Sequence, residues 1–245
     1  MLRFYYVITR NLFRLPGIIG KMKKMAASDK YSEEDCYKYI QYVIGLMQKT
    51  GYIRTEVFGA ENHPKEGGYV MYPNHQGKYD AYGIASVHEK SCTVVMDKAK
   101  SYGIFIKEVI DVLKGKRLDK QDVRQALTVI DEIGKEVKQG RRYILFPEGE
   151  YESEKKNTLT DFKAGCFKAS IKSKTPIVPV TLIDSYKAFN SSHIGMVTTQ
   201  VHFLKPVFYE EYKGLKTQQI AELVRERIQK KLDELTGASV CKLQV

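Results

Sequence analysis

The chain lacks several features that mark whole protein classes. Its four cysteines, Cys36, Cys92, Cys166 and Cys241, lie far apart and in no CxxC or Cys/His spacing. That argues against a disulfide scaffold and a structural metal, and it suits packing residues in a reducing compartment. No apolar stretch reaches the ~18 residues of a membrane-spanning helix, because Arg3, Arg10 and Arg14 interrupt the opening segment MLRFYYVITRNLFRLPGIIGKMKKM. The same segment has no clean apolar run ending in a small-residue cleavage site, so it does not read as a removable signal peptide. Internal repeats, low-complexity tracts, a Pro/Gly-rich linker, a glycine-rich phosphate loop and nucleic-acid motifs are all missing.

What is present is a chain of 245 residues with a formal net charge of +11. That length buries a sizeable core, and that charge favours anionic partners such as phospholipid head groups, phosphorylated substrates or nucleic acid. In the opening segment, Tyr5, Ile8, Leu12, Leu15 and Ile19 follow a three-and-four spacing, with Arg3, Arg10, Arg14, Lys21 and Lys24 on the other side. This is the pattern of a helix lying in a membrane interface, although a helix packed on the protein's own core has similar periodicity. Pro16 is expected to kink or break it. A second helix follows, capped by Ser32, with Glu33, Glu34 and Asp35 in its first turn and Gly51 at its end. Its expected buried stripe is Ile40, Val43, Ile44 and Met47. Residues 1–51 thus form an amphipathic helical hairpin, and residues 52–245 the main domain.

From there the chain alternates. Strands are expected at 52–58, 68–72, 92–96, 142–146, 176–182 and 199–204, and helices at 79–89, 101–114, 122–139, 162–173 and 216–235. The clearest helix carries Val123, Ala126, Leu127, Ile130, Ile133 and Val137 at helical spacing. Such alternation predicts an α/β domain of three layers.

Sites in open α/β sheets collect where strands end, and two polar segments occupy such places. In MYPNHQGKYDAYG, residues 71–83, His75 falls in a strand-to-helix loop and Asp80 at the start of the helix. On one continuous helix their side chains would diverge by about 140°, so the pair meets only if His75 lies outside it. In YILFPEGEYESE, residues 143–154, a strand again runs into a polar loop, with Glu148 and Gly149 at its end and FKAG, residues 162–165, opening a helix downstream. His63, His88, His193 and His202 have no comparable setting and read as structural or exposed.

Together these segments resemble the glycerolipid acyltransferases, over roughly residues 52–205. Asn74, His75 and Asp80 match that family's NH-x4-D block. Lys98 followed by GKRLDKQD resembles a second block, with Lys120 where an arginine is usual; Phe146, Pro147, Glu148 and Gly149 with FKAG resemble a third; and TPIVPVTL, with Pro179, a fourth. The resemblance implies a three-layer fold with a mixed central sheet and transfer of an acyl group from a thioester to the hydroxyl of a lysolipid. It implies His75 as general base with Asp80 as its partner. It places Asn74, Lys98, Lys120, Glu148 and Gly149 in substrate binding, the lysines toward a phosphate or the acidic thioester carrier. The expected acceptor is lysophosphatidic acid, the donor acyl-coenzyme A or an acyl carrier protein, with no metal, no cofactor and no nucleic-acid partner. The expected location is peripheral, on the cytoplasmic face of the cell membrane. The third block departs from the family's threonine or serine followed by arginine, since this chain has Glu150 and Tyr151. The departure leaves open a different lysolipid or hydroxyl acceptor, or a basic membrane-binding module without turnover. Arg117, Arg141, Lys155 and Lys163 are nearby cations able to stand in for the missing arginine.

Overall fold

The computed structural model describes residues 2–103, 105–152, 154, 156–191 and 193–237; Cys241 and Lys155 lie outside them. Three helices open the chain: α1 Leu2–Arg10, α2 Leu15–Ala26 and α3 Glu33–Gly51. The expected hairpin therefore has three segments instead of two. The opening helix is broken near Pro16 as expected, and Pro16 sits in the first turn of α2, where its missing N–H costs nothing. Ser32 caps α3 as expected: its Oγ accepts from the Asp35 N–H at 3.1 Å while Asp35 accepts from the Ser32 N–H at 3.0 Å. Gly51 does not supply the left-handed stop, which is Tyr52 with φ 53°. Its lack of a side chain instead admits Val7 of α1, 2.8 Å from where a Cβ would stand.

The buried side of α1 and α2 is formed by Arg3, Val7, Ile18, Met22 and Met25. Arg3, expected on the basic solvent-facing side, is instead fully covered and donates to the His193 carbonyl at 2.5 Å. Leu2, Tyr5, Leu12 and Phe13 are exposed, Phe13 almost completely at 99%.

The rest is a seven-stranded mixed sheet. Its strands are β1 Ile53–Phe58, β2 Tyr69–Pro73, β3 Thr93–Asp97, β4 Lys116–Leu118, β5 Arg142–Ile144, β6 Ile177–Ile183 and β7 Val197–Phe203, in the order β1-β7-β6-β2-β5-β3-β4. Pairing is parallel except between β6 and β7. β2 and β6 are buried along their whole lengths, as continuous apolar runs in the middle of a covered sheet should be. The strand β4 lies in the GKRLDKQD segment, where no strand was expected. Its three residues pair with Val95, Met96 and Asp97 of β3 through the backbone, so no side-chain alternation announces it.

Helices cover both faces. α4 Asp80–Val87 and α5 Ile106–Val112 join α2 and α3 on one side, where Met22, Tyr37, Ile44, Ile84 and Val109 pack with Tyr69, Met71 and Val180 of the sheet. α6 Val123–Lys138, α7 Lys168–Ser173 and α10 Thr217–Thr236 cover the other, where Ile133, Phe167 and Val224 pack with Val70, Tyr72 and Ile177. Short helices α8 Lys187–Asn190 and α9 Tyr209–Tyr212 complete the connections. Two expected helices are shorter than their pattern suggested: 101–114 contracts to α5, and 162–173 divides into a 3-10 turn at Ala164–Phe167 and α7. Along α6 the apolar stripe is only partly internal, because Val123 and Leu127 near its start are exposed.

His88 is structural, as expected. Its Nδ1–H donates to the Lys90 carbonyl at 2.6 Å, so Nε2 accepts from the Tyr69 hydroxyl at 2.8 Å. Burial pushes His88 down to about 3 and His202 to about 4, from an ordinary 6.5. The unfolded chain therefore takes up protons below about pH 6.5 that the fold refuses, and stability falls as pH drops toward the folded values. Urea unfolding at pH 7 and pH 4.5 should show this loss, and His88→Gln should reduce it. An unchanged loss in the variant would assign it to other groups.

Candidate active site

The carboxyl ends of β2, β3, β4, β5 and β6 lie along one edge of the sheet, since these strands run parallel. The polar loops that follow them converge there. After Pro73 the chain leaves β2 and crosses residues 74–79 before Asp80 begins α4. That break in regular structure lets the two side chains meet, and His75 Nδ1 lies 2.7 Å from Asp80 Oδ2.

Asp80 has no exposed surface. Its Oδ2 also accepts the backbone N–H groups of Gln76 at 2.5 Å and Gly77 at 2.9 Å, and its Oδ1 accepts the Ser185 hydroxyl at 2.6 Å. Four donors thus converge on one carboxylate. An ionised carboxylate can only accept, so Nδ1 carries the proton and Nε2 is left as the basic nitrogen. The His75 side chain is 17% exposed, and among the described residues its Nε2 makes no hydrogen bond. The ring is stacked on Phe146, centroids 4.1 Å apart, and meets Tyr151 edge-on at 4.8 Å. An imidazole with Nδ1 held by a carboxylate, placed between two aromatic rings and open at Nε2, is suited to accept a proton from a hydroxyl.

The loop is held against β6. Asn74, expected among the substrate-binding residues, is fully buried, and its amide bridges both backbone groups of Leu182, donating at 3.1 Å and accepting at 2.6 Å. Gln76 donates to the Leu182 carbonyl and to Asn157, each at 2.8 Å, and accepts the Ser185 N–H at 2.8 Å. Asn157 in turn accepts the Asp184 N–H at 3.0 Å.

Glu148 is the second buried carboxylate, with Oε1 accepting the His75 N–H at 2.8 Å and Oε2 the Thr160 N–H at 3.0 Å and the Thr160 hydroxyl. Burial pushes its carboxyl above the usual range, against the pull of its bonds to Thr160 and His75. The geometry makes it a brace between the two loops. Gly149 follows with φ 77°, a left-handed turn that favours glycine. A Cβ there would also stand 2.8 Å from Lys163 Nζ.

The lysines lie at the rim. Lys98 is 3.3 Å from Asp119. Lys120 donates to the Gly149 carbonyl at 2.7 Å and lies 2.9 Å from both Asp97 and Glu150. Burial works against its charge, but the two carboxylates outweigh that and hold Lys120 above its ordinary range. Arg117 and Arg141, two of the nearby cations, are engaged elsewhere, with Asp111 and with Glu136.

Sequence reasoning missed Gln76, Asn157, Thr160 and Ser185. Gln76 and Ser185 carried a local signal, their places just beyond predicted strands; Asn157 and Thr160 are ordinary loop polars. Tyr151 was noticed as a departure, but not as a wall of the histidine.

Comparison with known proteins bears on what such a site does. The family described as Acyltransferase matches residues 54–183. The 1-acyl-sn-glycerol-3-phosphate acyltransferase of Saccharomyces cerevisiae is 28% identical over 236 residues, 95% of this chain and 73% of that protein. The human 1-acyl-sn-glycerol-3-phosphate acyltransferase alpha is 28% identical over 179 residues, 69% of this chain and 58% of that protein. The crystal structure of the 1-acyl-sn-glycerophosphate (LPA) acyltransferase PlsC from Thermotoga maritima superimposes with a TM-score of 0.74 at 19% identity, covering 96% of this chain and 94% of that one. That likeness concerns the fold.

Proposed function

The chain belongs to the acyltransferase family, and from that membership we propose that it transfers a fatty acyl group from an acyl thioester to the hydroxyl of lysophosphatidic acid, forming phosphatidic acid. The observation that carries the mechanism is the 2.7 Å contact of His75 Nδ1 with a fully buried Asp80, which leaves Nε2 open.

His75 Nε2 takes the proton as the acceptor hydroxyl attacks the thioester carbonyl. Asp80 stabilises the imidazolium that forms. Collapse of the tetrahedral intermediate breaks the carbon–sulfur bond, and the imidazolium returns the proton to the departing thiolate. No covalent acyl-enzyme is needed, because a thioester is already activated. Lys98 and Lys120 supply positive charge at the rim for a phosphate or for an acidic carrier, either coenzyme A or an acyl carrier protein. The exposed Leu2, Tyr5, Leu12 and Phe13, flanked by Arg10 and Arg14, support docking on an anionic bilayer. Among the described residues no helix is long and apolar enough to cross a membrane. In this reading attachment is peripheral, at the cytoplasmic face of the membrane.

A second reading keeps the chemistry and changes the acceptor. Its motivating observation is Tyr151, whose ring fills space beside His75 where a phosphate-binding arginine is absent. Thiol release from acyl-coenzyme A and from acyl carrier protein, followed with lysophosphatidic acid or a phosphate-free monoacylglycerol in vesicles, separates the two. The expected result is turnover that requires lysophosphatidic acid and is faster on anionic than on neutral vesicles. Transfer to monoacylglycerol alone would establish the second reading. Indifference to vesicle charge would count against the docking surface.

A further inference from the structure

The rim beside His75 holds more positive charge than its ion pairs absorb. Lys120 has three acceptors, and they differ in how firmly they are held. Asp97 is 17% exposed and also caps the following turn by accepting the Ala99 N–H at 2.9 Å. The Gly149 carbonyl belongs to the backbone of a fixed turn. Glu150 is 62% exposed, and its pairing with Lys120 is the only ion pair it makes among the described residues. Lys100 and Lys163 add their fields to the same carboxylate. Lys163 lies across Gly149, and neither lysine makes an ion pair of its own among the described residues. Lys120 and Lys163 thus stand beside a weakly held Glu150, next to the loop that braces His75.

We infer that Glu150 is a tethered counter-anion in a phosphate-monoester subsite formed by Lys120 and Lys163, and that a phosphorylated lipid binds by displacing it. A phosphate monoester carries nearly two negative charges at neutral pH against one for a carboxylate, and offers three acceptor oxygens. It therefore outcompetes Glu150 for the lysines, while Asp97 and the Gly149 carbonyl keep Lys120 in place. When the lipid leaves, Glu150 returns to the ammonium group. Glu150 thereby weakens binding of phosphorylated acceptor and product alike and eases release of the product. The inference rests on the proposed acyl transfer for its kinetic part only; the anion site stands on its own geometry.

Two measurements test it. In His75→Ala protein, binding of inorganic phosphate and of lysophosphatidic acid is followed by calorimetry with and without Glu150→Gln. Removal of the competing charge should tighten both by about tenfold, the equivalent of one charge-assisted hydrogen bond. Lys163→Ala should loosen them. In the active protein, Glu150→Gln should lower KM for lysophosphatidic acid, relative to KM for monoacylglycerol, and the inhibition constant of phosphatidic acid by similar factors. Phosphate binding that is unchanged or weaker in Glu150→Gln overturns the inference. Tighter phosphate binding in a protein that turns over neither acceptor would sustain the subsite and overturn the acyl-transfer reading instead.

Discussion

Replacing His75 by alanine is expected to lower kcat for acyl transfer by about 10³-fold, within the range typical of a lost general base, with little change in KM or in melting temperature. The side chain supplies no hydrogen bond to the core other than the one to Asp80. Glu148 holds the loop through the His75 backbone, which alanine keeps. Asp80→Asn tests the other half of the pair. The amide oxygen would take the place of Oδ2 and its NH2 would turn to the Ser185 hydroxyl, so the bonds from Gln76 and Gly77 lose the charge that strengthens them. The imidazolium formed in the reaction would lose the charge that stabilises it, so a fall of about 10² to 10⁴ in kcat is expected. Its melting temperature should drop as well, unlike that of His75→Ala. Steady-state kinetics and a thermal scan on both variants check this. Full activity in His75→Ala would remove the imidazole from the chemistry.

Glu148→Ala should be the most damaging single change away from the reacting pair. It removes one buried carboxylate and leaves the His75 N–H, the Thr160 N–H and the Thr160 hydroxyl without their acceptor. Bonds to a charged group contribute about 1.5–3 kcal/mol each, but they are not additive here, because the loops can relax toward water. A loss of roughly 3 kcal/mol is expected. Because the lost bond holds the backbone of His75, kcat should fall at least tenfold even in protein that remains folded. Thr160→Ala, which keeps the His75 contact and the Thr160 N–H, should cost about 1 kcal/mol and leave kcat nearly intact. Equal effects of the two on kcat would show that Glu148 acts on the 160 loop and not on His75.

The fold was largely legible. Strands β2 and β6 announced themselves as apolar runs, and α3 by Ser32 and the acidic turn that follows, because burial on both faces and helix capping leave periodic or positional marks in a few neighbouring residues. β4 left no such mark, being held by backbone pairing at an edge. The first helices show a different failure. Period alone separated an apolar from a basic stripe, but it assigned Arg3 to solvent, whereas the packing of α1 buries it under the loop that carries His193.

At the site, local spacing was enough to select His75, Asp80 and Glu148, since a strand-end loop followed by a helix permits only certain side chains to face one another. Which groups hold them was decided in three dimensions. Asp80 and Ser185 are 105 residues apart, Asn74 and Leu182 are 108 apart, and His75 and Glu148 are 73 apart. No short window contains both partners of any such bond. The parallel arrangement of β5, β2 and β6 brings their ends to one edge, and that arrangement alone turns two buried carboxylates into the partner of an imidazole and the brace of its loop. Residue type and local period thus determined where a polar site had to be, because they report burial and chain direction. Its hydrogen-bond network and the charge balance of its rim were left to the tertiary fold, because they depend on distances between distant segments that local pattern does not contain.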